Sequence, residues 1–150
     1  PVRSTGRFVY KRPDSLRWEY LEPMREGFAI TGKAGVRWSD DGDGERRTRF
    51  SVGSDPVAEV VARQLMAWIT FDVAGIRREY GIETLALDPL ILRMTPLRDD
   101  VKSVIASITI TFSAEGPASV VAIEESAGGK TTISFTGTVV NAPVADGDFD

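Results

Sequence analysis

Gly6-Arg7-Phe8-Val9-Tyr10-Lys11-Arg12-Pro13-Asp14-Ser15-Leu16-Arg17-Trp18-Glu19-Tyr20-Leu21-Glu22-Pro23 decides how the rest of the chain is read. It reads as two strands joined by a tight connection. Side chains alternate across a strand, so Phe8, Tyr10 and Arg12 share one face and Arg7, Val9 and Lys11 the other. Pro13 has no N–H for a ladder and ends the first strand. Asp14-Ser15 supplies the turn. Leu16, Trp18 and Tyr20 then line one face of the second strand, with Arg17 and Glu19 opposite. Pro23 closes the unit.

Working outward, Phe28 and Ile30 alternate with Ala29 and Thr31 in a third strand. Gly32-Lys33-Ala34-Gly35 is a turn, and Val36 and Trp38 share a face of a fourth strand. Ser39-Asp40-Asp41-Gly42-Asp43-Gly44 is a polar loop. Its aspartates lack the distal Glu of an EF-hand, which favours a hairpin loop over a calcium site. Glu45–Val52 resumes strand, with Thr48, Phe50 and Val52 on one face. The alternation predicts that Phe8, Tyr10, Leu16, Trp18, Tyr20, Phe28, Ile30 and Trp38 face a common apolar space between sheet and helices.

One stretch carries a strong helical signal. Asp55 can cap, with Pro56 at the first helical position. Val57, Val60, Val61, Leu65, Trp68 and Ile69 recur at helical spacing and form an apolar stripe. Asp72 caps a second short helix, Val73–Tyr80, with Gly81 as its C′ residue. From the residues alone, such helices either pack as ordinary core on a sheet or cover a half-open barrel.

From Ile82 the chain returns to strand. Leu90–Met94 stops at Pro96, and Leu97–Asp100 is a loop or single turn. Ile108, Ile110 and Phe112 alternate with Ser107, Thr109 and Thr111. Glu115-Gly116-Pro117 turns, Val121 and Ile123 alternate with Val120 and Ala122, and Ser126–Gly129 is a hairpin turn. Lys130–Val140 is the last long strand, and Pro143–Asp150 a polar tail. There is no internal repeat and no linker. One antiparallel sheet with one helical insertion is the simplest architecture.

The chain has 150 residues, which suits a single domain, and a hydrophobic content of 42%, ordinary for a globular protein. No run approaches the roughly 20 apolar residues of a membrane span. The net charge of −4 argues against a nucleic-acid partner. The charge is uneven: residues 1–50 hold eleven Lys/Arg against eight Asp/Glu, and residues 101–150 two against six. There is neither His nor Cys. That removes a Ser-His-Asp triad, a Cys nucleophile and the usual zinc ligands. Glu124 and Glu125 are strand neighbours on opposite faces and form no catalytic pair. No glycine-rich phosphate loop is present. The expectation is a protein that is not an enzyme and has no metal or cofactor.

The order Gly-x-(apolar)-x-x-Lys-Arg-Pro-x-x-(apolar)-x-Trp-x-x-x-x-Pro resembles the N-terminal signature of the LolA-type outer-membrane lipoprotein carrier proteins. Leu92-Arg93-Met94-Thr95-Pro96 is similar to the family's Leu-x-Leu-x-Pro strand. The later meander ends in Phe135-Thr136-Gly137-Thr138-Val139-Val140-Asn141 and a late Phe149, as in that family. The resemblance covers about three quarters of the chain. Around residues 31–45 the sequence departs from the family pattern, so cavity residues do not carry over there and a divergent relative is implied.

The resemblance implies a mainly β fold, a curved antiparallel half-barrel sheet covered by a helical lid. It implies one lipid-carrier domain over residues 1–150, with the family's N-terminal helix and first strand not in this chain. The expected place is the periplasm. The lipid-binding cavity would be lined by Phe8, Tyr10, Leu16, Trp18, Tyr20, Phe28, Ile30, Trp38, Leu65, Trp68 and Ile69. Expected partners are acyl chains of lipoproteins or lipids and the transfer proteins of the inner and outer membranes, with the chain a monomer. Arg12 matches the arginine that holds the family's lid closed. Read from the residues alone, Arg12 is equally a snorkelling surface side chain paired with Asp14 or Glu19. The functional alternative to a carrier is an envelope sensor or protein-binding module on the same half-barrel that transports nothing.

Overall fold

The computed structural model describes residues 1–54, 67 and 72–150. The helix expected from Asp55, with Leu65, Trp68 and Ile69, falls outside the described residues apart from Ala67. The described chain forms two compact units, Pro1–Thr70 with Ala142–Asp150, and Phe71–Asn141. Each is built on an open five-stranded antiparallel meander. The mainly β, antiparallel, unclosed class expected from the sequence is the class adopted. The strands divide into two ladders where a single sheet was the simplest expectation.

The first sheet runs β1 (Thr5–Lys11), β2 (Ser15–Glu22), β3 (Arg25–Thr31), β4 (Ala34–Asp40) and β5 (Glu45–Ser51) in chain order. Paired residues share a face, so the registers decide which side chains meet. Phe8 pairs with Trp18, and Trp18 with Phe28. Tyr10 pairs with Leu16, and Leu16 with Ile30. Three residues separate Lys11 from its partner Ser15, so even positions face even positions. The β3–β4 connection differs. Thr31 pairs with Ala34 across only Gly32 and Lys33. An even-length loop pairs even positions with odd ones, and Phe28 therefore faces Arg37 while Trp38 faces Gly27.

This corrects the expectation for Trp38. It lies on the opposite side of the sheet from Trp18, on the face of Arg17, Gly27 and Ala29. The turn is shorter than expected: Ala34 and Gly35 belong to the strand. Gly32, with φ of 61°, supplies the left-handed position a tight hairpin needs. In the polar loop, the Asp40 carboxylate accepts from Gly42 N at 3.0 Å and that of Asp41 from Asp43 N at 3.3 Å. These aspartates serve the turn's own backbone.

The expected polar tail also needs correction. Asp146–Phe149 is a 3-10 turn, and Phe149 is only 6% exposed. The turn packs on β2 and β3. Lys11 Nζ donates to Asp146 at 2.6 Å, and Arg17 Nη1 to the Asp150 carbonyl at 3.1 Å. Both donors come from the Trp38 face, so the turn lies over that face.

The second unit starts with a helix, α1 (Val73–Glu79). The Asp72 carboxylate accepts from Gly75 N at 3.1 Å, the expected cap. Gly81 holds the C′ position after the C-cap Tyr80 but is not left-handed, because Tyr80 is already extended and Gly81 is in strand. There follow β6 (Tyr80–Leu87), β7 (Leu90–Pro96), a one-turn helix α2 (Asp99–Lys102), β8 (Ile105–Phe112), β9 (Ala118–Glu125) and β10 (Lys130–Ser134). Met94 pairs with Ile108, and Leu92 with Ile110, which in turn pairs with Val121. These five, with Ile76 of α1, Tyr80, Pro96 and Phe112, are buried. The opposite face carries Arg93, Thr109 and Ala122. The last strand ends six residues before the expected Val140. Gly137 and Asn141, with φ of 64° and 60°, do not continue an extended chain.

Phe149→Ala is expected to lower unfolding free energy by about 3 kcal/mol, the usual cost of emptying a buried aromatic site. Val139→Ala, at a side chain 74% exposed, should change it by less than about 0.5 kcal/mol. Urea denaturation of both variants checks the pair; equal effects would remove Phe149 from the core.

Candidate functional site

Seven of the eight strand positions singled out in the sequence share one face of the first sheet. Two rows cross it. In the first, Phe8, Trp18 and Phe28 are successive partners, and the row ends at Arg37. The Phe8 and Trp18 ring centroids are 6.2 Å apart, within the range of attractive aromatic pairs. In the second row, Tyr10, Leu16 and Ile30 are followed by Gly35 and Phe50. The Phe50 ring lies where a side chain on Gly35 would stand. Phe50 thus joins the same apolar face. Its alternation with Thr48 was visible in the sequence, but its side of the sheet depends on two loop lengths.

Exposure grades along this face. Leu16 and Ile30 are buried, at 0% and 4%. Phe8, Tyr10, Trp18, Phe28 and Phe50 are half-buried. Tyr20 is exposed, its ring edge-on to Trp18 at 6.3 Å. The Tyr10 hydroxyl donates to the Pro13 carbonyl at 3.3 Å. Burial raises its pKa, with Arg12 opposing and Asp14 adding to the rise. Beyond Tyr20 the face becomes polar. Tyr20, Glu26, Arg37, Ser39, Arg46 and Thr48 border an open groove of about 370 Å³.

Arg12 lies just past the end of β1 and is exposed. Among the described residues it makes no hydrogen bond or ion pair. Glu19, one of its expected surface partners, is taken by Arg7 and Arg17 at 2.6 and 3.2 Å. The helix expected from Asp55 falls outside the described residues apart from Ala67, and with it Leu65, Trp68 and Ile69.

Trp38, on the other face, is 5% exposed. Its ring covers Gly27, where an added Cβ would stand 2.7 Å from it. The Arg17 guanidinium stacks over Trp38 at 4.3 Å, and that of Arg47 lies at 5.7 Å. Arg17 also reaches Glu19 and the Asp150 carbonyl, while its Nε finds no partner. This cluster joins β2, β4 and the C-terminal turn. Its partners are internal, and the arrangement is structural.

The family model for outer membrane lipoprotein carrier protein LolA matches residues 1–150. No curated protein matches the chain.

Burial alone would raise the Glu19 pKa, but hydrogen bonds from Arg7 and Arg17 outweigh it and hold the carboxyl below its ordinary value. A carboxylate with a depressed folded-state pKa stabilises the fold above its unfolded pKa, and that stabilisation is lost as pH falls through the folded value. Stability of the first sheet is therefore expected to fall below the ordinary glutamate range. Glu19→Gln should be less stable than the parent near neutrality and show a flatter acid limb. Urea midpoints measured from pH 7 down to pH 3 check this; parallel pH curves for the two proteins would rule it out.

Proposed function

The chain belongs to the LolA family of outer membrane lipoprotein carrier proteins, and from that premise we propose that the aromatic face of its first sheet receives acyl chains. In this reading the protein is a periplasmic carrier. It shields the acyl chains of lipoproteins or another lipid during transfer to the outer membrane, taking them from and passing them to transfer proteins of the two membranes. The family match spans both structural units, which supports a single carrier domain over residues 1–150.

One observation carries the proposal. Phe8, Trp18, Phe28, Tyr10, Leu16 and Ile30 stand in two adjacent rows on one face. A face of this kind offers contact to methylenes and asks nothing of them. Each buried CH₂ contributes about 0.8 kcal/mol, so a long chain can be held without polar recognition. Trp38 has no part in this, since it faces the other way. Among the described residues no helix is long and apolar enough to cross a membrane.

Arg12 is proposed as the latch that holds a covering segment closed and lets go when cargo enters. Its exposure and its lack of a partner among the described residues support that role. A guanidinium in that position has five N–H donors to offer to backbone carbonyls.

The test uses an environment-sensitive fatty-acyl dye with a long-chain fatty acid as competitor. The protein should bind the dye, the fatty acid should displace it, and salt should change little because the attraction is apolar. Trp18→Ala should weaken binding by about tenfold, whereas Trp38→Ala should lower stability and leave the affinity of the folded fraction unchanged. No displacement at high micromolar fatty acid would favour a sensor that binds protein and carries nothing.

A second measurement addresses the latch. Arg12→Leu should keep the folded circular dichroism spectrum and change dye affinity or release rate. A variant that binds and releases as the parent does, with only thermal stability altered, would assign Arg12 to the surface alone.

A further inference from the structure

The aromatic face does not end in solvent. It runs into the groove bordered by Tyr20, Glu26, Arg37, Ser39, Arg46 and Thr48. The two regions are continuous through the registers. Arg37 is the β4 partner of Phe28, at the end of the Phe8–Trp18–Phe28 row. Tyr20, Glu26, Ser39 and Arg46 form the next row, successive partners from β2 to β5. A single face therefore passes from buried aliphatics through half-buried aromatics to hydroxyls and charges over a few residues of strand.

The charges differ in their engagement. Arg46 Nη2 is 3.1 Å from Asp41, and both are exposed. Exposed ion pairs of this kind are weak and exchangeable. Arg37 makes no hydrogen bond or ion pair among the described residues. It stands across from Thr48, whose hydroxyl faces the same groove. Glu26 places a carboxylate between Tyr20 and Ser39 in the neighbouring row. The groove thus offers guanidinium and hydroxyl donors to an anion on β4 and β5, and one acceptor beside them on β3.

We infer that this groove is a headgroup subsite for a phospholipid whose phosphodiester is followed by a primary ammonium. The inference rests on the acyl-binding reading of the adjoining aromatic face. The phosphodiester oxygens accept from Arg37 and Arg46, in charge-assisted hydrogen bonds suited to the planar guanidinium fork. The ammonium donates to Glu26. A phosphate monoester, with a second negative charge and no donor, meets Glu26 as a like charge. A quaternary ammonium has no N–H to give. The acyl chain leaves the glycerol toward Trp18 and Phe28. Two guanidiniums and one carboxylate beside the apolar rows match the two charges of this one class of amphiphile.

The experiment measures displacement of the fatty-acyl dye by three monoacyl lipids of equal chain length: lysophosphatidylethanolamine, lysophosphatidylcholine and monoacylglycerol. The expected order is lysophosphatidylethanolamine tightest, by about tenfold over monoacylglycerol, the size of one charge-assisted contact. Arg37→Gln/Arg46→Gln should abolish that advantage and leave monoacylglycerol affinity unchanged. Glu26→Gln should equalise the two lysophospholipids. Equal affinity of all three lipids for the parent, or an advantage that survives the double arginine variant, would overturn the subsite while leaving acyl binding in place. Failure of every lipid to displace the dye would overturn the acyl-binding reading as well. Displacement by glycerophosphoethanolamine alone as potent as by the whole lipid would show a free-anion site and also overturn the inference.

Discussion

The length of the Gly32-Lys33 turn constrains every face assignment in the first sheet. Two residues between paired positions reverse the parity of the strand that follows. The Asp41–Gly44 loop, also even, reverses it again between β4 and β5. Phe50 is thereby returned to the side of Leu16 and Ile30, and Trp38 is sent to the side of Arg17. A hairpin one residue longer would exchange the two faces of β4 and bring Trp38 beside Trp18, because the side-chain period of a strand is two. β5, paired to β4, would turn with it and carry Phe50 to the side of Arg17. As built, it has two apolar surfaces with different occupants.

Those two surfaces differ in what holds their side chains. On the Trp38 face the C-terminal turn supplies Phe149, and the Arg17 guanidinium bridges ring, carboxylate and carbonyl. That half-buried cation is held by geometry on several sides, with its Nε unmatched among the described residues. On the aromatic face, among the described residues, no ion pair crosses the rows of Phe8 and Tyr10. Apolar side chains there meet each other and can meet a ligand's methylenes without exchanging a hydrogen bond. Gly27 and Gly35 serve the two sides in turn, each yielding its place to an aromatic ring from a neighbouring strand. Such pairing compensates the poor strand propensity of glycine.

Alternation within each strand was legible in the sequence, and the chemistry of Phe8, Tyr10, Leu16, Trp18, Phe28 and Ile30 followed from it. So did the Asp72-capped helix, since a cap and its helical run are local. The relation between strands was harder. Trp38 sits in a clear apolar alternation with Val36, but the side it faces depends on where the turn tightens, and Gly32–Gly35 offered more than one register. Phe149 is one aromatic among acidic residues, a composition that reads as tail. It is buried in a turn that packs on β2 and β3, far away in sequence. The division into two ladders depends on hydrogen bonds that strands form or omit with distant segments, which periodicity does not encode. The polar groove was illegible for the same reason: Tyr20, Glu26, Ser39 and Arg46 come from four strands and show no shared motif.

The outermost described strand of the first sheet, β5, carries Arg46 on the aromatic side and Arg47 and Arg49 on the other, within seven residues. Open strand edges invite edge-to-edge pairing with another molecule, and charged side chains are a common guard. Two copies meeting β5 to β5 would bring their arginines together at a strand spacing of about 4.8 Å. Repulsion would then act on both surfaces of the joined sheet at once, so neither a flip nor a one-residue slip relieves it. A sheet with an aromatic face and an edge strand runs a risk of polymerising through its backbone. In this chain the arginines of β5 oppose that growth at the edge, leaving the aromatic face free of any need to be polar.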